Sequence, residues 1–274
     1  MNYKKLFFPI GGGDELEERL YGAFLIAKTF DVKLDILKSG VKTDGNVYKS
    51  YYIPQDLLAE INKVVDANFE TENQEFQALF DDVLDKADVD SSLIKCKIRE
   101  GLRSELVEEE SKFCDLVIAA APPSGVTTAT FETAVLKSGK PVLMFPRIMR
   151  KFSTESVIIG WNNSPEVSRA LTSSIEILKQ AKKVHIITSS EYVEDLSIIE
   201  NVLEYLKEHG INATYEVVKT TRIPGQALLN SALDGHFDLI VAGAYGHKGL
   251  KELMFGGATR YLLENSTVPV FMSH

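Results

Sequence analysis

The residues best suited to chemistry lie in one glycine-rich run, Gly243-Ala-Tyr-Gly246-His247-Lys248-Gly249, followed after an interval by Gly256-Gly257-Ala258-Thr259. Glycine carries no Cβ, so backbone N–H groups there can approach an anion closely. The run leaves the end of an apolar, strand-like segment and enters a helix-like one near Ala258. A helix N-terminus adds unpaired donors and a partial positive charge. Lys248 could add a full charge, and His247 could contact phosphate or stay in solvent. Together these features suit a chain of phosphates. A connector that needs glycine only to turn is the other reading of the same residues. No Gly-Lys-Ser/Thr follows four free residues, so this is not a Walker loop. Nor does it have the GxGxxG spacing of a dinucleotide fingerprint.

The remaining reactive residue types form no catalytic or metal constellation. His185, His209, His236, His247 and His274 show neither HxH nor HExxH spacing. His185 falls inside a strand-like segment and reads as structural. Cys96 reads as a core residue, and Cys114 has no neighbour that marks it as a nucleophile. The two cysteines make no CxxC pair, which with the absence of a signal-like or 18-residue apolar run suggests a reducing, cytoplasmic setting. Ser124 and Ser164 lack a GxSxG context, and Glu108-Glu109-Glu110 reads as a solvated helix face.

The elements that must position the glycine run follow from apolar patterning. Strand-like runs cover Lys5–Ile10, Lys33–Leu37, Leu93–Arg99, Asp115–Ala120 and Pro141–Phe145. A second set covers Ser156–Trp161, Lys183–Thr188, Asn212–Lys219, Asp238–Ala242 and Pro269–Met272. Most are continuous Val/Ile/Leu/Phe runs, as strands covered on both faces require. Helix-period stretches alternate with them, at Glu15–Phe30, Glu166–Ala181 and Asp195–His209, the last followed by Gly210 as a C-terminal cap. Strand–helix alternation predicts an α/β fold around parallel sheet.

The pattern is written twice. Phe113-Cys-Asp-Leu-Val-Ile-Ala parallels Phe237-Asp-Leu-Ile-Val-Ala with one residue inserted, and Lys137-Ser-Gly-Lys-Pro-Val-Leu-Met parallels Asn265-Ser-Thr-Val-Pro-Val-Phe-Met. A repeat this long predicts tandem domains, 1–148 and 154–274, rather than one ten-stranded core, with a basic, proline-broken linker at Pro146–Thr154. The first half spends residues 38–92 between its second and third strands, where the second spends only 189–211. Two amphipathic stretches in that excursion, around Leu57–Val65 and Phe76–Leu84, read as added cover for the first sheet, with a partner-binding arm as the alternative.

The glycine spacing, Gly243-x2-Gly246-x9-Gly256, resembles the nucleotide-binding signature of the universal stress protein family, Gly-x2-Gly-x9-Gly-Ser/Thr. Trp161-Asn162-Asn163-Ser164 after the sixth strand resembles the family's Asp-Gly-Ser segment, with Ala170 at the usual place in the next helix. The resemblance spans essentially the whole chain and is to tandem members. It implies two doubly wound five-stranded parallel-sheet domains of strand order 3-2-1-4-5. It also implies ATP, with Mg²⁺, held between first and fourth strand ends, and a role in stress adaptation. The nucleotide-binding residues it implies are Asn162, Ser164, Gly243, Gly246, His247, Lys248, Gly256, Gly257, Ala258 and Thr259. Two positions depart from the pattern. Gly257 replaces a Ser/Thr, with Thr259 two residues on as the substitute hydroxyl, and Asn162 replaces an Asp. Trp161 could stack on a base, pack in the core or seal the domain interface.

The first half departs further. From Ala120 to Pro141 is 21 positions, against 26 from Gly243 to Pro269, and Pro122 and Pro123 remove backbone donors. A backbone phosphate cradle is not expected there. Gly11-Gly12-Gly13-Asp14 lacks the serines of a pyrophosphatase loop. The net charge of −9, divided as −6 over residues 1–150 and −3 over the rest, argues against nucleic-acid and anionic-membrane partners. The reading is therefore a stress-response protein, not an enzyme, with ATP as a regulatory ligand of the second half. Domains would pair within the chain, through their last strands, with homodimers possible. A nucleotide-free interaction protein and an ATP-cleaving enzyme are the alternatives.

Overall fold

The computed structural model describes residues 3–11, 13–40, 54–123, 126–191, 195, 197–219, 224–246 and 257–274. In chain order the strands are β1 Lys5–Ile10, β2 Lys33–Gly40, β3 Ile94–Glu100, β4 Leu116–Ala120, β5 Val142–Phe145, β6 Ser156–Gly160, β7 Lys183–Ser189, β8 Ala213–Val218, β9 Leu239–Gly243 and β10 Val270–Ser273. The helices are α1 Leu16–Phe30, α2 Gln55–Ala87, α3 Arg103–Glu110, α4 Ala129–Leu136, α5 Pro165–Leu178, α6 Ser197–Glu208, α7 Pro224–Asp234 and α8 Ala258–Asn265.

All ten strands form one sheet of order β3-β2-β1-β4-β5-β10-β9-β6-β7-β8. Within each half the pairs are parallel and the order is 3-2-1-4-5. The halves join where their last strands meet antiparallel, Val270 opposite Met144 and Met272 opposite Val142. The repeat alone pointed to two separate cores, but β5 and β10 are buried along their whole length. Two short apolar edges with unpaired N–H and C=O groups gain most by pairing with each other. The linker is packed rather than free. Met149 and Phe152 are buried, Phe152 meets Phe30 edge-on at 5.3 Å, and Arg150 pairs with Glu18 at 2.8 Å.

Strand side chains alternate between two faces. Leu6, Phe8, Ile10, Val157 and Ile159 point to one, where α1, α2, α5 and α6 lay down Phe24, Phe80, Ala170 and Ile199. Phe7 and Ile158 point to the other, covered by α3, α4, α7 and α8 through Val107, Ala134, Leu229 and Leu262. Each face has its own apolar cluster running through both halves. The outermost strands, β3 and β8, are only partly covered.

The two amphipathic stretches of the first-half excursion are one 33-residue helix, α2. At about 1.5 Å per residue it is roughly 50 Å long, about twice the span of its longest neighbouring strand. Its second part covers the sheet through buried Phe76, Phe80 and Val83. Its first part overshoots, leaving Leu57 47% and Val64 59% exposed. No helix among the described residues is long and apolar enough to cross a membrane.

Candidate functional site

The C-terminal ends of β6 and β9 lie side by side, with Gly160 opposite Ala242. Here strand order reverses, β7 lying beyond β6 and β10 beyond β9, which makes this the crevice where open α/β sheets take ligands. A cavity of about 180 Å³ opens there, walled by Trp161, Asn162, Thr188, Leu228, Gly243 and Ala258 among others. Two of its lining residues carry buried polar atoms with no hydrogen-bond partner among the described residues, Trp161 Nε1 and Thr188 Oγ1. Buried polar groups left this way cost about 1–3 kcal/mol each, and a bound molecule would recover it.

The chain leaves β6 through a tight turn in which Asn163 takes φ 58°, a left-handed conformation that asparagine tolerates. Ser164 N donates to Asn162 Oδ1 at 3.3 Å. Ser164 Oγ accepts from Val167 N at 3.3 Å, capping α5, whose first residue is Pro165. Ser164 is 3% exposed, and its hydroxyl oxygen is committed to this cap.

On the β9 side, Gly243 has a packing reason to be glycine. A Cβ there would lie 2.7 Å from Val167 N and 2.9 Å from Glu166 Cβ. Tyr245 follows at φ 52°, and its N–H donates to Thr259 Oγ1 at 3.2 Å, tying this segment to the first turn of α8. Thr259 is buried and does not line the cavity, whereas Gly257 and Ala258 do, at the helix N-terminus. His247, Lys248 and Gly256 lie outside the described residues.

Two groups that sequence reasoning passed over belong to this neighbourhood. Thr188, near the C-terminal end of β7, could have been found by asking what each strand end presents to the crevice. Glu166, in the first turn of α5, sits where a Cβ on Gly246 would come within 3.2 Å of its Oε2. That oxygen is buried and without a hydrogen-bond partner among the described residues, while Oε1 pairs with Arg169 at 3.2 Å. Burial works to raise the Glu166 pKa. Hydrogen bonds from its own backbone and Ser164, with the charges of Arg169 and His274, outweigh it and hold the carboxyl below the usual range.

The other reactive types are placed elsewhere. His185 sits in β7, stacked on Phe237, with Nδ1 2.8 Å from Thr214 Oγ1. Burial pushes the Cys96 thiol up to about 11 and that of Cys114 to about 12, so neither is a ready thiolate. Among the described residues no group of three or more His, Cys, Asp or Glu side chains could hold a metal ion.

Residues 177–274 match the Universal stress protein family. Over 79 residues the chain is 37% identical to Universal stress protein YxiE of Bacillus subtilis. That stretch is 29% of this chain and 52% of the relative, so the match spans about half the relative's length. The fold extends the likeness. A universal stress protein from Archaeoglobus fulgidus superposes with a TM-score of 0.68 at 18% identity, over 97% of this chain and 94% of its own. A putative universal stress protein from Pseudomonas aeruginosa gives 0.59 at 16% identity, over 98% and 92%. The C-terminal part of the chain, residues 177–274, thus matches the universal stress protein family by sequence, and nearly the whole chain shares the fold of solved universal stress proteins.

Proposed function

We propose that the chain is a stress-response protein of two domains, residues 1–148 and 154–274, joined edge to edge in one shared sheet, and that the second binds an adenine nucleotide, ATP, as a regulatory ligand with little or no hydrolysis. The observation that carries this reading is the crevice between β6 and β9, whose walls offer a donor, Trp161 Nε1, and a hydroxyl, Thr188 Oγ1, without partners among the described residues. At about 180 Å³ the cavity is smaller than the roughly 300–1,000 Å³ of a whole cofactor site. It suits the base and ribose, leaving the phosphates to run past Gly246 toward the N-terminus of α8 at Gly257 and Ala258. His247, Lys248 and Gly256 would stand along that path. Ser164 and Gly243 act indirectly, by capping α5 and letting it approach β9. Asn162 lines the crevice itself.

Mg²⁺ would arrive with the phosphates, and the Oε2 of Glu166, which has no hydrogen-bond partner among the described residues, is the carboxylate oxygen that fits a cation or a ligand hydroxyl beside Gly246. Pairing of β5 with β10 within the chain uses the strand edges through which two chains would otherwise join, so a homodimer would need another surface. We place the protein in the cytoplasm, without nucleic-acid or membrane partners.

The test is mass spectrometry of small molecules released from gently purified protein, followed by calorimetry with ATP. Thr188→Val keeps the shape and removes the hydroxyl. Losing one hydrogen bond of about 1 kcal/mol should weaken binding roughly fivefold. If no adenine nucleotide copurifies or binds, the glycine segment is a connector and the reading fails.

A further inference from the structure

The first half has its own cavity at the equivalent place, beyond the ends of β1 and β4, and its chemistry differs. It measures about 330 Å³. Three arginines from separate parts of the chain line it: Arg19 of α1, Arg103 at the start of α3, and Arg147 just after β5. The described lining of the second-half cavity contains no arginine or lysine.

Two of the three hold the loops together. Arg19 Nη2 donates to the carbonyls of Gly11 and Gly13 at 3.3 and 3.4 Å, and its Nε donates to Glu15 O at 3.3 Å. Arg147 donates to Asp14 O at 2.8 Å and Ala121 O at 3.3 Å, and pairs with the Glu15 carboxylate. Arg103 is different. Its Nε donates to Ser39 Oγ at 2.9 Å, and its two terminal nitrogens take no hydrogen-bond partner among the described residues. The fork lies against Gly11, where a Cβ would come within 1.5 Å of Nη2 and 2.0 Å of Cζ. Glycine at 11 is what leaves room for it.

The charges are incompletely balanced. Burial lowers the Arg103 pKa with no opposing carboxylate. Arg19 is pulled down to about 10, first by burial and then by Arg147 and Arg103, against Glu15 and Asp14. Both remain cations at neutral pH, and an anion in the cavity would relieve both effects. The walls at Ala119–Pro123 are small and apolar, and Thr128 and Thr130 add hydroxyls. Pro122 and Pro123 do remove backbone donors, as the sequence indicated, but side-chain donors stand in their place. A guanidinium fork whose two terminal nitrogens have no partner among the described residues matches a phosphate oxygen pair.

We propose that the first half is a second ligand site of distinct chemistry, in which Arg103 binds the phosphate of a small phosphorylated compound while Arg19 and Arg147 supply field and fix the surrounding loop. The site is independent of the nucleotide reading for the second half.

Calorimetry with pyrophosphate and inorganic phosphate, and citrate as the carboxylate control, tests it. Pyrophosphate should bind the parent at one site. Arg103→Gln should weaken it at least about tenfold, the loss of one or more charge-assisted hydrogen bonds. Gly11→Ala should weaken it comparably by displacing the fork, and meets only the flexible end of a side chain, so it stays folded if Arg103→Gln does not. Neither variant should alter ATP binding in the second half, which separates failure of this proposal from failure of that one. The proposal is overturned if no phosphate-bearing probe binds at millimolar concentration. It is also overturned if citrate binds as tightly as pyrophosphate, or if both variants bind like the parent.

Discussion

Replacing Gly243 by alanine separates a packing role from a ligand role at the first glycine of the nucleotide-type signature. The new Cβ would stand 2.7 Å from Val167 N, 2.9 Å from Glu166 Cβ and 3.1 Å from Glu166 C, and real Cβ atoms essentially never come closer than 3.0 Å. Two of those three atoms are backbone, in the first turn of α5, which is held by the Ser164 cap and by buried Val167 and Ala170. Relief requires moving either the end of a central strand or the start of that helix. Overpacking of this kind costs about 1–3 kcal/mol. The same substitution at Gly11 meets only the guanidinium of Arg103 and should cost less than about 0.5 kcal/mol. Urea denaturation of both variants beside the parent measures the difference. We expect Gly243→Ala to lower the midpoint clearly and Gly11→Ala to leave it nearly unchanged. If Gly243→Ala were as stable as the parent and lost only ATP affinity, glycine would be reserved there for the ligand and the packing argument would be wrong.

Asp115 and Asp238 occupy matched positions before β4 and β9. Asp115 Oδ2 accepts from the N–H groups of Lys4 and Lys5 at 2.8 and 3.0 Å, and Asp238 Oδ2 from Ser156 N and Ser153 Oγ at 2.9 and 3.0 Å. Alanine at either should cost about 1–3 kcal/mol in chemical denaturation, by similar amounts, with the strand order intact. Burial works to raise the Glu110 pKa, but hydrogen bonds and charge from Lys97 and Arg99 hold it below the usual range. A folded pKa below the unfolded one gives stability that is present above the unfolded value and lost as pH falls through the folded one. Thermal melts from neutral pH down through about pH 4 should therefore show a shallower acid decline for Glu110→Gln than for the parent.

Much of the fold was legible because each strand is a dense apolar run with turn residues at its ends. Observed strand limits fall within a few residues of those read from the sequence. The repeat was legible for a physical reason too, since its Asp-Leu segment performs the same backbone-binding task twice. The antiparallel seam was foreseen only as one way for last strands to pair, because nothing local in Val142–Phe145 or Val270–Ser273 says which edge each will meet. The single long α2 was read as two stretches because its buried stripe runs out where the helix passes beyond the sheet. Site residues were harder. Ser164, Gly243 and Thr259 have the right types at the right spacing, yet the structure occupies each with capping, close packing or a loop tie. Thr188 reaches the second-half crevice, and the three arginines the first-half cavity, from segments far apart in the chain, and only the order of strands brings each set together. A pass along the chain weighs neighbours in sequence, and the arginine cluster has none.

The central claim is that one adenine nucleotide binds per chain, in the crevice between β6 and β9. Ala227 of α7 is half-buried on the wall of that crevice, so Ala227→Phe fills it without entering the core. Calorimetric titration with ATP on the parent, Ala227→Phe and Arg103→Gln tests the claim most directly. The account predicts one site per chain in the parent and in Arg103→Gln, and loss of at least about tenfold in affinity in Ala227→Phe, with circular dichroism unchanged. Two equivalent sites per chain, or ATP binding untouched by Ala227→Phe, would contradict it.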